Sequence, residues 1–456
     1  MDMRIKSLSL KNIRLFGDKP QTVSFDADKN VVILLGNNGC GKSTILDAAS
    51  ILLSSYVGSF PGNTAKSFKD SDVHILSDNQ VAPYLDVSMD LVLDNGKVCK
   101  VSRTRKGWGK CPVSDVKELK AYAEGVQEEI LANRVKVNIP ILAYYGTGRG
   151  QIKAPERKRG FQTVFAQWDC YNNSLDAASN FKRFFAWYDM MEDEERRERE
   201  RRRDFSYHSP VLASVRSAIE AFVGPLYTNP HIAIHPLRFV LEEKNGGDKR
   251  ELRLEQYSDG YKIIIAMVAD IASRMAEGNP GLDNPLEGSG VILVDEIDLH
   301  LHPKWQRIIL ANLHRVFPNV QFIVTTHSPV VLLGAVDFAQ IVTLNDGKIN
   351  VCHSDYSRYD VGQVLLSDLF GLSNLQSPTY DADIAEQNDL LGRYAQLNHA
   401  EKCRLAALDE KLRGLSSSST LEADGFSVRN AISRGFLFPF SSRGGVLGGE
   451  APVYPS

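Results

Sequence analysis

The 456-residue sequence contains no C-x-x-C pair; its six cysteines, Cys40, Cys99, Cys111, Cys170, Cys352 and Cys403, are scattered. A structural zinc or disulfide framework is therefore not expected, and a reducing cytoplasm is the expected setting. No run reaches the ~18 consecutive apolar residues that span a bilayer, so no membrane association is expected. The formal net charge of −3 leaves no global basic field of the kind that attracts nucleic acid. The opening MDMRIKSLSLKNIRLF is mixed and strand-like, without the apolar core of a secretory leader. What the chain does have is a 43% apolar content and enough length for one large domain or about two to three ordinary ones.

Residues 36–44 read GNNGCGKST, directly after the apolar run Val31–Leu35. The spacing G-x-x-x-x-G-K-S lets backbone N–H groups turn inward around phosphates, and Gly36 and Gly41 supply the backbone freedom this needs. Lys42 can reach β- and γ-phosphates, and the Ser43 hydroxyl can join a Mg²⁺ shell. The stretch Thr44–Leu53 predicts a helix whose amino terminus adds partial positive charge. Alkylation of Cys40, inside the loop, is expected to block nucleotide binding.

Some 250 residues later, Gly290–Val294 reads as a buried parallel strand ending in Asp295 and Glu296. Ligands in such sheets lie at the carboxyl ends of strands. Asp295 is thus placed for the Mg²⁺ shell and Glu296 to orient or deprotonate water, although two acids can also cap a following helix. Tyr257-Ser258-Asp259-Gly260-Tyr261 precedes a helical pattern over Lys262–Ala276; this turn is either a second anion site or an ordinary helix cap. Val320–Thr326 reads as another buried strand, followed by His327, which either senses a γ-phosphate or is structural.

In this order, the phosphate loop, Ser258-Asp259-Gly260, VILVDEIDLHLHP (291–303) and TTHSP (325–329) resemble the ATPase head of the ABC superfamily, in its RecF, SMC and OLD-like branch rather than its transporter subunits. The opening LKNIRLFGDKPQTVSFD, with Phe16 and Phe25, resembles that branch's first strand pair. The segment LAYYGTGR (142–149) is similar to a marker of bacterial AAA-type ATPases within it. Over roughly residues 1–375 the chain resembles the PtuA family of Septu and some retron anti-phage systems.

The resemblance implies an α/β fold: an ABC-type head with a mixed sheet, an inserted helical lobe and a C-terminal helical region. It divides the chain into an N-terminal ATPase half (1–145), a helical insertion (146–240), a C-terminal ATPase half with signature, Walker B and switch histidine (241–352), a helical region (353–415) and a disordered tail (416–456). It implies ATP and Mg²⁺ as ligands. Gly36, Asn37, Asn38, Gly39, Cys40, Gly41, Lys42, Ser43 and Thr44 would bind ATP, and Ser43 and Asp295 the metal. Glu296 would be the general base, His327 the switch histidine and Asp298 the loop residue crossing a dimer interface. Ser258 and Gly260 would contact ATP held by a second copy, which implies a homodimer or higher homo-oligomer. Asp259 departs from the usual LSGGQ pattern, and an acid near a triphosphate is electrostatically awkward. The glutamine-loop position falls on Gln80 or Asp72, and Arg14 is either a phosphate contact or a surface arginine.

The resemblance also implies a separate nuclease subunit, of HNH type in a Septu setting, or a reverse transcriptase with its DNA–RNA product in a retron. The alternatives are a RecF-like ATPase that binds DNA directly in repair or recombination, and a transporter ATPase. Residues 84–104 alternate as antiparallel strands with a hairpin signal at Asp94-Asn95-Gly96. Two basic stretches, Lys100–Lys110 around Trp108 and Arg149–Arg159, are either nucleic-acid contacts or solvated loops. Residues 161–223 read as helical, and Glu192–Asp204, polar all round, reads as a projecting helix laced by i,i+4 pairs. Sustained apolar heptads are lacking there, which argues against a long coiled-coil arm. Asp360–Leu372 and Asp383–Leu412 suit amphipathic helices, and Gly435–Phe440 is an aromatic patch within the tail. No acidic cluster after residue 350 resembles a nuclease centre.

Overall fold

The computed structural model describes residues 2–77, 79–132, 136–150, 165–177, 181–224, 227–234, 237–245, 248–345, 347–372, 374–375 and 377–413. Its amino-terminal part forms β1 (Met3–Lys11), β2 (Gln21–Ser24), β3 (Val31–Gly36), α1 (Lys42–Val57), β4 (Tyr84–Leu93) and β5 (Val98–Lys106). There follow α2 (Lys117–Ala132), β6 (Ile141–Tyr145), α3 (Phe181–Arg202), α4 (Pro210–Val223), β7 (Tyr227–Ile234), β8 (Leu237–Asn245), β9 (Asp248–Arg253) and α5 (Asp259–Gly278). The remainder of this unit holds β10 (Gly290–Val294), α6 (Pro303–Val316), β11 (Val320–Thr326), α7 (Pro329–Leu333), β12 (Ala339–Asn345), β13 (Lys348–Cys352) and α8 (Val361–Leu366).

Periodicity decides which sheet each strand joins. β4 buries every second side chain and lies in the antiparallel sheet β2-β1-β4-β5. β3 and β10 are apolar without alternation, β11 is buried at every position, and all three lie inside the six-stranded sheet β13-β12-β3-β11-β10-β6, parallel except at β13. The continuous apolar run means that both faces of these strands are covered. α1 packs against strands of both sheets and buries Ile45, Leu46, Ala49, Leu52, Leu53 and Tyr56. The register sets the carboxyl ends of β3, β11 and β10 side by side, with Leu35 opposite Thr326 and Val294 opposite Val324.

Several boundaries differ from those read in the sequence. α1 and α5 each extend beyond the helices expected over Thr44–Leu53 and Lys262–Ala276. The insertion expected to be helical over 146–240 ends in sheet, because β7 lies within it and β8 crosses residue 240 to pair with β7 and β9. The chain divides after Ser373 rather than after residue 352, so α8 belongs to the ATPase unit. From Asn374, α9 (Pro378–Gly392) and α10 (His399–Arg413) form a second unit around Leu390, Leu397, Leu405 and Leu408, with Arg404 paired to Glu386 at 2.7 Å. The tail 416–456 and its aromatic patch lie outside the described residues.

Glu192–Asp204 is not a free polar helix. Its first turns are anchored by Glu192 and Glu195, both buried and paired with Arg216 of α4 at 3.1 and 3.2 Å. The expected pairs Glu195–Arg199 and Glu198–Arg202 form at 2.7 and 2.9 Å, whereas Arg196 pairs with the Asp193 carboxylate and meets Glu192 only at its main-chain carbonyl. The preceding Phe184, Phe185, Trp187 and Tyr188 are core residues, so α3 docks by its amino-terminal half.

Candidate nucleotide site

The phosphate loop runs from the end of β3 into α1 and owes its shape to three glycines with positive φ: Gly36 (155°), Gly39 (80°) and Gly41 (105°). A Cβ at Gly36 would lie 2.4 Å from the Leu344 carbonyl and 2.6 Å from Cys40 Sγ, so glycine is required there for close approach. Asn37, Asn38 and Gly39 are exposed, and Cys40, Lys42 and Thr44 are buried. Lys42 Nζ donates to the carbonyls of Gly36 (2.7 Å) and Asn37 (2.9 Å), holding its charge inside the loop. Burial pushes its ammonium below the usual lysine value, against the pull of Cys40, Asp295 and Glu296.

The second half of the site meets this loop through oxygen atoms. Ser43 Oγ donates to Asp295 Oδ2 at 2.8 Å, and Thr325 Oγ1 donates to Asp295 Oδ1 at 2.7 Å. Residues 252 positions apart are thus in contact, which sets a hydroxyl and a carboxylate oxygen side by side. Thr325 Oγ1 also accepts the Glu296 amide at 2.7 Å, and the Thr326 hydroxyl donates to Asp298. Glu296 has φ of 47°, in the left-handed region, at the turn where β10 ends.

Arg149 was a candidate nucleic-acid contact in the sequence; the structure buries it, with 3% of its surface exposed. Its guanidinium donates to the carbonyls of Gly146 (2.9 Å), Asp295 and Glu296. Burial lowers its pKa, opposed by the charges of Asp295, Asp298 and Glu296. Arg103 and Arg105 are likewise engaged internally, Arg103 with Ser55 Oγ and the Lys66 carbonyl, and Arg105 with Asp70 and the Phe68 carbonyl. Lys100 and Lys106 are exposed, while Lys153, Arg157, Lys158 and Arg159 lie outside the described residues.

His327 follows β11 and is half-buried. Burial and then the charge of Lys42 depress its pKa below the ordinary 6.5, against the attraction of Asp298, Glu296 and Asp295. The folded state holds this proton less tightly than the unfolded chain, so acidification below 6.5 costs stability, and the imidazole is neutral at pH 7. An NMR titration of ATP-free protein is expected to place His327 below the ordinary value and to move it upward when ATP adds negative charge. A value at or above the ordinary one without nucleotide would contradict this placement.

Ser258 caps the amino terminus of α5, but its side chain makes no cap bond, and it is exposed. The Asp259 carboxylate is held 3.1 Å from Lys262, which offsets its charge. Tyr257 packs edge-on to Tyr227 (ring centroids 5.1 Å apart), and Tyr261 packs on Trp305 (5.2 Å). A Cβ at Gly260 would lie 2.6 Å from the His300 carbonyl, so the signature turn is pressed against the loop that carries Asp298. Arg14 is clamped between Asp47 (2.7 Å) and the buried Asp72 (3.0 Å). Of the two glutamine-loop candidates, Asp72 is occupied by this clamp, whereas Gln80 is exposed. Tyr144 extends the same network by donating to Asp47 at 3.0 Å.

Sequence reasoning assigned no role to Thr325, Thr326 or Arg149 at the nucleotide. The two threonines have a visible signal, since paired hydroxyls end a buried strand directly before His327. Arg149 has none in its spacing, because its partners lie 146 and 147 residues away.

A phosphate loop, a strand-end acid pair and a helix-capping serine signature around a mixed sheet define an ABC-type ATPase head. A family model described as AAA domain matches residues 7–207, and a second AAA-domain model matches residues 162–333. "Retron Vc95 probable ATPase" of Vibrio cholerae is 30% identical over 393 residues, covering 75% of this chain and 74% of that protein. "Retron Ec83 probable ATPase" of Escherichia coli is 30% identical over 405 residues, covering 76% and 72%. "Septu protein PtuA" of Bacillus mycoides is 35% identical over 170 residues, covering 35% of this chain and 22% of that protein. The chain belongs to the retron ATPase family and is homologous to Septu PtuA. No helix among the described residues is long and apolar enough to cross a membrane.

Proposed function

We propose that this ATPase is a Mg²⁺-dependent switch that closes head to head around ATP, as a dimer or higher oligomer, and so controls a separate nuclease in anti-phage defence. One observation carries the reading: Ser258 presents an uncapped hydroxyl at the exposed amino terminus of a 20-residue helix, on the same unit as a complete phosphate loop. A helix terminus with free N–H groups attracts phosphate, and in this reading it meets the ATP of the opposing copy. The retron and Septu relatives support the defence setting.

The residues divide the work. Lys42 exchanges its loop carbonyls for phosphate oxygens, and the loop N–H groups cradle the same anions. Ser43 and Asp295 form a pair of hard oxygen donors that suits Mg²⁺. Mg²⁺ bound there supplies neutralisation of charge developing on the phosphates. Glu296 orients the attacking water and takes its proton. His327, neutral at pH 7, reads the γ-phosphate, and Asp298 reaches towards the second copy.

The two-copy site has a direct test. Lys42→Ala chains retain the signature, and Ser258→Arg chains retain the phosphate loop. Each variant alone is expected to be inactive, whereas in an equal mixture about half of the dimers are mixed, each with one intact composite site of two, so about a quarter of the wild-type activity is recovered. If the mixture stays inactive while each variant folds and assembles, the signature does not act in trans.

A further inference from the structure

We propose that Arg149 is a positioning residue for ATP hydrolysis, holding Glu296 in its left-handed turn through the main-chain carbonyls of Asp295 and Glu296. The inference rests on the reading of Glu296 as general base.

A left-handed φ of 47° is unfavourable for a glutamate and persists only where the surroundings over-determine it. Two side chains do so here. Thr325 Oγ1 accepts the Glu296 amide, and Arg149 donates to the carbonyls on either side of the Glu296 φ bond. The Leu299 amide adds a fourth bond, to the Glu296 carbonyl at 2.9 Å. None of these contacts uses the Glu296 carboxylate, which remains available for chemistry.

A buried guanidinium is costly unless its donors are used; here Nη1 and Nη2 are spent on fixing main chain, while Nε is buried without a partner among the described residues. The planar fork of arginine reaches adjacent carbonyls at once; a lysine ammonium keeps the charge but not the fork. The arginine is itself fixed. It lies in the turn Thr147–Gly150, just after β6, whose Tyr145 is in register with Val294 and whose Tyr145 carbonyl accepts the Asp295 amide at 2.8 Å. Nη1 also closes back on the Gly146 carbonyl. The arginine and the turn it braces are therefore carried by neighbouring strands of one rigid sheet. Without the brace, Glu296 can relax towards right-handed φ, which swings its carboxylate away from the reacting phosphate.

The test uses the full-length chain with MgATP and the variants Arg149→Lys, Arg149→Met and Glu296→Gln. ATP affinity is measured by titration and hydrolysis under single-turnover conditions. Both Arg149 variants are expected to bind ATP within about twofold of wild type and to hydrolyse it about 10- to 100-fold more slowly, the loss that follows from misplacing a reacting group by about 1 Å. Adding Arg149→Met to Glu296→Gln is expected to slow the reaction no further. Wild-type turnover in Arg149→Lys would overturn the proposal, because charge alone would then suffice. Loss of ATP binding in parallel with turnover would overturn it too, by making Arg149 a folding residue. Normal turnover in Glu296→Gln would instead remove the general-base reading on which the proposal stands.

Discussion

Lys42→Ala is expected to weaken ATP binding about 10- to 100-fold, the loss of a charge-assisted hydrogen bond of ~1.5–3 kcal/mol. Two features of the loop set that size. The ammonium already has partners in the Gly36 and Asn37 carbonyls at 2.7 and 2.9 Å, so ATP gains only the difference between phosphate and carbonyl as acceptor. Burial holds the ammonium below its ordinary pKa, and a triphosphate relieves that penalty by supplying opposite charge. The remaining loop amides keep some affinity, which is why binding is weakened rather than abolished. Calorimetric titration of the full chain with ATP measures the effect, and unchanged affinity would remove residues 36–44 as the nucleotide site.

Glu296→Gln is expected to leave ATP affinity within about twofold of wild type and to slow hydrolysis about 10²- to 10⁴-fold, the usual contribution of a positioned general base. The substitution is nearly isosteric. The Glu296 turn is held through the amide bonded to Thr325 and the carbonyl bonded to Arg149 and Leu299, none of which the change touches. Glutamine can still orient water but cannot take its proton. Single-turnover hydrolysis with enzyme in excess separates this step from product release. Turnover at the wild-type rate would exclude Glu296 as base and leave Asp295 and the loop as the essential groups.

The phosphate loop, the Walker B strand and the β4–β5 hairpin were legible because each is written in consecutive residues. Val31–Leu35 is apolar without alternation and becomes an interior strand, while Tyr84–Leu93 alternates and becomes half-buried. The signature turn was legible as a helix start, but not its contact with the loop of Asp298, which depends on Gly260 meeting the His300 carbonyl. The roles of Arg149, Glu192 and Glu195 were not legible. A charged residue reads as solvated until its partners are known, and here the partners are main-chain carbonyls some 146 residues away or Arg216 on the next helix. β7 was missed because Pro230 interrupts it, although the apolar run Phe239-Val240-Leu241 in β8 was available as a sheet signal.

In this account ATP serves assembly as much as hydrolysis. The proposed composite site pairs the loop at 36–44 of one copy with the exposed Ser258 turn of another. The most direct test is the native mass of full-length Glu296→Gln protein with and without MgATP. The variant is expected to bind ATP and to consume it far more slowly than wild type, so that the proposed closed state accumulates. The mass is predicted to at least double on ATP addition, or to shift to a higher oligomer, and adding Ser258→Arg is predicted to abolish the shift while ATP remains bound. A mass that stays the same at saturating ATP would contradict the composite site.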